Sequence, residues 1–123
     1  MNATQARTFY VEQLAFYARK DMEGLVEAHY AADAQLITFD RVCRGKDEIK
    51  ALFCGYLERL GYLEADLLKF QSTDDTLCFE ATVRSAIGTW QAYDCMVLRD
   101  NVIVYHFAGV TSDPPATNRV NEQ

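Results

Sequence analysis

The sequence predicts an α+β domain in which helices come first and a meander of long strands follows. In the first half, apolar residues recur every three or four positions, the spacing of amphipathic helices. From about residue 63 the apolar period changes to two, which is typical of strands. This order of elements is expected for a curved sheet wrapped on a few helices. Such a sheet encloses a cavity, and functional residues are expected to line it.

Three helices are predicted. The first covers about residues 6–20, and the second begins after Asp21, a favourable N-cap residue, and continues to about Tyr30. The third follows Gly45, a glycine that interrupts the preceding strand-like pattern, and ends at Gly61, which suits a helix C-terminus. Its apolar stripe is the clearest of the three and consists of Ile49, Leu52, Phe53, Tyr56, Leu57 and Leu60.

Five strands are predicted. One short strand lies between the second and third helices, over residues 36–39, where the residues are β-branched or aromatic. The other four belong to the second half of the chain and cover residues 63–72, 76–87, 89–98 and 102–110. Residues 73–75 supply turn chemistry, residues 99–101 form a short hairpin connection, and Gly88 marks a bulge or bend.

Length and charge restrict the class of protein. The 123 residues predict one folded domain over residues 1–112, followed by a polar tail over 113–123 that we expect to be mobile. A formal net charge of −6 argues against binding to nucleic acids or to anionic membranes. The chain has no apolar run of membrane-spanning length and does not begin like a signal peptide, so we expect a cytoplasmic protein.

The cysteines and the common cofactor motifs give no positive signal. The four cysteines form no Cys-x-x-Cys motif and, in a reducing compartment, are expected to be buried thiols. The chain has no metal-ligand spacing, no phosphate-binding loop and no nucleophile elbow. We therefore expect no metal and no cofactor.

Two polar residues interrupt the apolar faces of the last two strands. Side chains alternate between the faces of a strand, so Asp94 lies on the same face as Trp90 and Met96. On the following strand, His106 lies in a similar apolar line. A carboxylate beside an imidazole is a plausible acid/base pair. The alternative is that each side chain simply satisfies a structural hydrogen bond.

Three segments together resemble the nuclear-transport-factor-2-like (NTF2-like) superfamily, specifically its SnoaL-like and ketosteroid-isomerase-like bacterial members. Residues 21–34 resemble the second helix of the family and its entry to the first strand, and residues 44–49 resemble its Gly-x-x-x-Ile helix start. Residues 100–104 resemble its Asp-Gly-Lys-Ile-Val hairpin, with Asn101 in place of the usual glycine. The resemblance implies a cystatin-like cone: a strongly bent antiparallel sheet wrapped on three helices. It makes residues 1–112 a single SnoaL-like domain.

The resemblance also implies roles for individual residues. Asp94 matches the aspartic acid that ketosteroid isomerases keep protonated in their oxyanion hole. Asp40, or Thr38 two residues earlier, falls near the general base of those isomerases. His106 matches the histidine of the Glu-His-Trp-Asp run found near the end of SnoaL-like proteins. A ligand pocket would be lined by the aromatic and apolar residues Tyr17, Phe53, Tyr56, Trp90 and Met96.

Two functional hypotheses are compatible with these features. The first is a cofactor-free isomerase, cyclase or dehydratase that binds a small apolar molecule and transfers protons through Asp94 and His106, with Asp40 as a candidate base. The second is a non-catalytic ligand-binding or assembly module. It is favoured by Gln13, which stands in place of the isomerase tyrosine, and by Ala108, where cyclases place an acid/base aspartate. A homodimer is expected, since sheets of this family present an apolar outer face.

Overall fold

A computed structural model describes residues 1–112. Along the chain, the elements are α1 (Ala3–Arg19), α2 (Met22–His29), β1 (Tyr30–Ile37), β2 (Val42–Arg44), α3 (Gly45–Leu60), β3 (Glu64–Ser72), β4 (Thr76–Ser85), β5 (Gly88–Arg99) and β6 (Val102–Val110). The predicted α+β class is confirmed, with one sheet that is curved but not closed. The predicted tail, residues 113–123, lies outside the described residues.

The sheet is mixed rather than wholly antiparallel, which corrects one detail of the expectation. Its strand order is β2-β1-β6-β5-β4-β3. All neighbouring pairs are antiparallel except β1 and β6, which run parallel. The first and last strands of the chain are not joined by a hairpin, so no turn forces them to run in opposite directions. This pairing brings the start of β1 beside β6, which is where the site forms.

Local signals explain where most elements begin and end. The side chain of Asp21 accepts a hydrogen bond from the backbone N–H of Gly24 at 2.9 Å, so it caps α2 as predicted. Gly61 ends α3 with a φ of 77°, a backbone conformation that favours glycine. Asp100 and Asn101 both have positive φ, the requirement of a two-residue hairpin turn between β5 and β6. Strand β2 and the early start of β1 were not predicted.

The core lies between the inner face of the sheet and the helices. It contains fully buried side chains from α2, α3 and the strands, among them Leu25, Ile49, Leu77 and Ile103. Helix α3 packs against β1, and α1 packs against β3. The helices therefore cover the two halves of the sheet, and the open space between them forms a cavity. Within residues 1–112, no helix is long and apolar enough to cross a lipid bilayer.

Candidate functional site

The cavity has a volume of about 520 Å³ and opens to solvent between α1, α3 and the sheet. This volume falls within the range of about 300–1,000 Å³ that small-molecule sites occupy in proteins. Most of its wall is apolar. The apolar and aromatic lining includes Leu14, Leu36, Phe53, Leu60, Leu63, Phe79, Ala81, Val83, Trp90 and Ala92.

Asp94 and His106 lie together in the wall of this cavity, and their predicted contact is confirmed. The Nε2 atom of His106 lies 2.6 Å from Oδ1 of Asp94. His106 is buried, with 3% of its surface exposed, whereas about a quarter (23%) of the Asp94 side chain is accessible. The carboxylate is therefore the member of the pair that faces the open space.

Tyr30 extends this pair into a chain of three side chains. Its hydroxyl lies 2.7 Å from Nδ1 of His106 and is fully enclosed. Burial, with smaller effects from Tyr17 and Asp94, raises the pKa of Tyr30 well above its ordinary value, so the phenol keeps its proton. A neutral imidazole can then accept the Tyr30 hydrogen at Nδ1 and donate its Nε2 hydrogen to the Asp94 carboxylate. The hydrogen bonds fix the orientation of the ring and select one tautomer.

Sequence reasoning missed Tyr30, since it was assigned to the end of the second helix. The structure makes it the first residue of β1, immediately after the last residue of α2. Its partner is 76 positions away in the chain, and the two meet through the parallel pairing of β1 with β6. A buried tyrosine needs a partner for its hydroxyl, but nothing in the local sequence points to His106.

Tyr10 and Tyr17 project from α1 into the same cavity. The hydroxyl of Tyr10 is buried and has no hydrogen-bond partner in the described part of the chain. Burial, followed by the nearby Asp94 charge, raises the pKa of both phenols, so each remains a hydrogen-bond donor at neutral pH. The cavity therefore contains two phenolic donors in the electrostatic neighbourhood of the carboxylate.

Four of the five predicted lining residues border the cavity, namely Tyr17, Phe53, Tyr56 and Trp90. The fifth, Met96, is almost fully buried and does not border it. Its sulfur instead accepts a 3.6 Å hydrogen bond from Nε2 of Gln13. Met96 is directly opposite His106 on the neighbouring strand, so the two side chains lie next to each other on the inner face of the sheet.

Asp40 and Thr38 both border the cavity, at the turn between β1 and β2. The Thr38 hydroxyl accepts hydrogen bonds from the backbone N–H groups of Asp40 and Arg41, each at 3.2 Å. The turn therefore uses Thr38 to hold its own backbone. Asp40 is exposed, so the structure places this second carboxylate in the solvated part of the cavity wall.

No protein-family model matches the chain, and no curated protein matches it in sequence. Solved structures do match over most of its length. AclR, a candidate hydroxylase from Streptomyces galilaeus, has a TM-score of 0.81 at 16% identity, over 99% of both chains. A candidate SnoaL-like polyketide cyclase from Jannaschia sp. CCS1 has a TM-score of 0.77 at 11% identity, covering 88% of this chain and 86% of that one.

An NTF2-like protein of unknown function from Burkholderia pseudomallei is also similar. It has a TM-score of 0.73 at 15% identity and covers 89% of this chain and 92% of that one. At such identities the similarity establishes the fold. The chain has the cystatin-like cone of the SnoaL-like and NTF2-like proteins, which confirms the resemblance found in the sequence at the level of architecture. Because one fold hosts many chemistries, the activity has to be argued from the site.

Proposed function

We propose that the protein binds a small, largely apolar molecule in the cavity and catalyses a cofactor-free proton transfer on it. The observation that carries this proposal is the hydrogen-bonded chain Tyr30–His106–Asp94, whose outer end is a partly accessible carboxylate in an apolar cavity. A hydrogen-bonded set with a purely structural role would be expected to be buried at both ends, whereas this one ends at an accessible carboxylate. The reaction class is that of an isomerase, cyclase or dehydratase acting next to a carbonyl group.

Asp94 is suited to accept a proton from a bound molecule. One carboxylate oxygen accepts the hydrogen bond from His106, and the other has no hydrogen-bond partner within residues 1–112. The fixed imidazole stabilises the carboxylate and holds it in one orientation, which lowers the cost of reaching the reactive geometry. Tyr30 acts at one remove as a positioning residue, because it contacts His106 and not the cavity.

The phenols of Tyr10 and Tyr17 are suited to stabilise the negative charge that develops on the carbonyl oxygen when an adjacent carbon loses its proton. They are neutral donors in a largely apolar environment, where a hydrogen bond to an oxyanion is stronger than in water. Removal of one such donor typically costs about 100-fold to 1,000-fold in rate. The ligand carbonyl is thus expected between α1 and the sheet.

Two observations favour a second candidate, a binding module without turnover. Gln13 occupies the position of the isomerase tyrosine, and its amide is engaged by Met96. Ala108, directly opposite Asp94 on β6, stands where the resemblance implies the acid/base aspartate of cyclases, and it has no acidic group. In this candidate, Asp94 and the phenols would only bind a polar group of the ligand.

The two candidates are separated by hydrogen exchange on 2-tetralone, a bicyclic ketone with acidic protons beside its carbonyl. Deuterium uptake from D₂O is followed by ¹H NMR, and binding is measured separately by calorimetry. We expect the wild-type protein to accelerate exchange and Asp94→Asn to lose at least about 100-fold of that acceleration. Asp33→Asn, at an exposed position of β1, is the matched control and should retain it.

Asp40→Asn decides which carboxylate is the base, since loss of exchange in that variant alone would assign the role to Asp40. Binding of the ketone without any accelerated exchange would support the binding module. If Asp94→Asn leaves accelerated exchange intact, the assignment of Asp94 is wrong.

A further inference from the structure

Cys78 and Cys95 form a thiol pair on the outer face of the sheet, opposite the cavity. They are direct cross-strand partners in β4 and β5, and their sulfur atoms lie 3.4 Å apart. Phe79, which follows Cys78, and Asp94, which precedes Cys95, both line the cavity. Because side chains alternate along a strand, the two cysteines point away from the cavity.

The backbone already has the geometry that a disulfide needs. Directly opposed residues on antiparallel strands have Cα atoms about 4.5–5.5 Å apart, and disulfides form at Cα separations of about 4.4–6.8 Å. The sulfur atoms therefore have to approach by little more than 1 Å, which side-chain rotation supplies. The two strands do not have to separate or slide.

The two thiols have different surroundings. Cys78 is exposed, whereas Cys95 is half-buried between its neighbours on the sheet. Burial, followed by the hydrogen bond between the two thiols and then the charges of Cys78 and Asp94, raises the pKa of Cys95 to about 11. At neutral pH, Cys95 therefore stays a thiol, and Cys78 is the sulfur that a reagent in solution meets first.

We propose that this pair is a redox-modification site at which a hydroperoxide converts Cys78 and Cys95 into an intramolecular disulfide. The Cys78 thiolate attacks the outer oxygen of ROOH, the O–O bond breaks, and the alkoxide leaves as ROH after taking up a proton. Cys78 is then a sulfenic acid. The Cys95 sulfur attacks it, the S–O bond breaks, and water leaves as the S–S bond forms. The two thiols are oxidised by two electrons, and the peroxide is reduced.

The other two cysteines provide internal controls. Cys54 is exposed on α3 and Cys43 is buried in β2, and within residues 1–112 neither has a sulfur partner. Peroxide can reach Cys54 as it reaches Cys78. Only Cys78 has a resolving thiol in contact, so only that pair should end as a disulfide within one chain.

The test treats the reduced, full-length protein with hydrogen peroxide and maps the products by mass spectrometry. Cleavage after Lys69, Arg84 and Arg99 puts Cys78 and Cys95 on separate tryptic peptides, apart from Cys43 and Cys54. We expect one linked pair, residues 70–84 with 85–99, whose mass is about 2 Da below the sum of the two reduced peptides. Thiol titration of the unfolded product of Cys54→Ser should find two of its three remaining thiols lost, and a dithiol reductant should restore them.

Variants keep this assignment falsifiable. In Cys95→Ser the resolving thiol is absent, so a dimedone adduct should accumulate on Cys78, while Cys54→Ser should form the linked peptide at the wild-type rate. Circular dichroism confirms that each variant is folded. The proposal is overturned if the first product is a link between chains, or a link through Cys43 or Cys54. It is equally overturned if Cys78 is oxidised no further than Cys54 and never becomes linked.

Discussion

His106 reaches Asp94 diagonally across the sheet and not as its direct cross-strand partner. In the pairing of β5 with β6, His106 is opposite Met96, and Asp94 is opposite Ala108. The imidazole leans along the strand towards Asp94 and closes the distance to 2.6 Å. Diagonal neighbours in a sheet are within reach only of long or aromatic side chains. The small side chain of Ala108 leaves room for this approach.

Tyr30→Phe should destabilise the fold and loosen the imidazole. The change removes the hydroxyl hydrogen bond to Nδ1 of His106 and leaves that buried nitrogen without its partner. An orphaned buried acceptor costs about 1–3 kcal/mol, so urea denaturation should show a loss of unfolding free energy in that range. ¹H–¹⁵N NMR of the imidazole should show the Nε2-protonated tautomer in the wild-type protein and a mixture in the variant. Unchanged stability and an unchanged tautomer would show that Tyr30 does not orient His106.

The sequence could predict the Asp94–His106 contact because the signals involved are local. Turn residues Asp100 and Asn101 fixed the hairpin, and strand alternation put both side chains on the inner face. The prediction was less accurate nearer the turn. Strict alternation from His106 puts Val102 on the inner face. A register shift leaves Val104 as an extra residue, and Ile103 is packed in the core instead.

The rest of the site could not be predicted because it depends on contacts between distant segments. Tyr30 contacts His106 only because β1 pairs with β6, and no turn motif in the sequence predicts that parallel pairing. The cysteines show the same limit. They were expected to be buried, but Cys54 and Cys78 are exposed. Periodicity identifies the face on which a residue lies, but whether that face is covered is decided by the neighbouring elements.

Tyr10→Phe should affect the empty and the ligand-bound protein in opposite directions. The Tyr10 hydroxyl is buried without a partner, and its ring packs against Phe79, with centroids 4.7 Å apart. Removal of the hydroxyl relieves the cost of an unsatisfied donor. The free energy of unfolding of the ligand-free protein should therefore rise by about 1 kcal/mol. Binding of 2-tetralone should weaken by about tenfold, equivalent to about 1.4 kcal/mol. Urea denaturation and calorimetry measure the two effects.

Tyr62→Phe is the matched control for this prediction, since Tyr62 is partly exposed outside the cavity. It should change neither quantity. A Tyr10→Phe protein that is less stable without ligand would show that the hydroxyl already has a partner, and the assignment of Tyr10 as a ligand donor would be withdrawn.

The homodimer expected from the sequence should form through the outer face of the sheet. Tyr105 and Phe107 stack at 6.4 Å on β6 and are 43% and 40% exposed, an apolar patch suited to a second copy. Light scattering at micromolar concentration should give twice the 14.0 kDa chain mass for the wild-type protein and the chain mass for Tyr105→Lys. Val11→Lys, on the exposed side of α1, is the control and should remain dimeric. A wild-type mass of 14.0 kDa would contradict the dimer.

His29 should make the protein less stable as the pH falls below neutrality. The ring is 5% exposed, stacks on Phe9 with centroids 3.9 Å apart, and its Nδ1 atom has no partner within residues 1–112. Burial lowers the pKa of His29 below its ordinary value of 6.5, and the Glu12 carboxylate, 3.5 Å from Nε2, offsets this only in part. The folded protein therefore binds the proton more weakly than the unfolded chain.

The sign of the pH dependence follows from that difference. Well above pH 6.5 both states are neutral at His29, and as the pH falls through 6.5 the unfolded chain takes up a proton that the folded protein resists. Stability should therefore fall from about pH 7.5 to 5.5, by at most about 1.4 kcal/mol per pH unit for one proton. The range ends well above the titration of Glu27, whose pKa is lowered by hydrogen bonds from Lys50 and Lys46. His29→Phe keeps an aromatic ring against Phe9 and should flatten the profile measured by urea denaturation at each pH. An equally steep profile in this variant would assign the pH dependence to other groups.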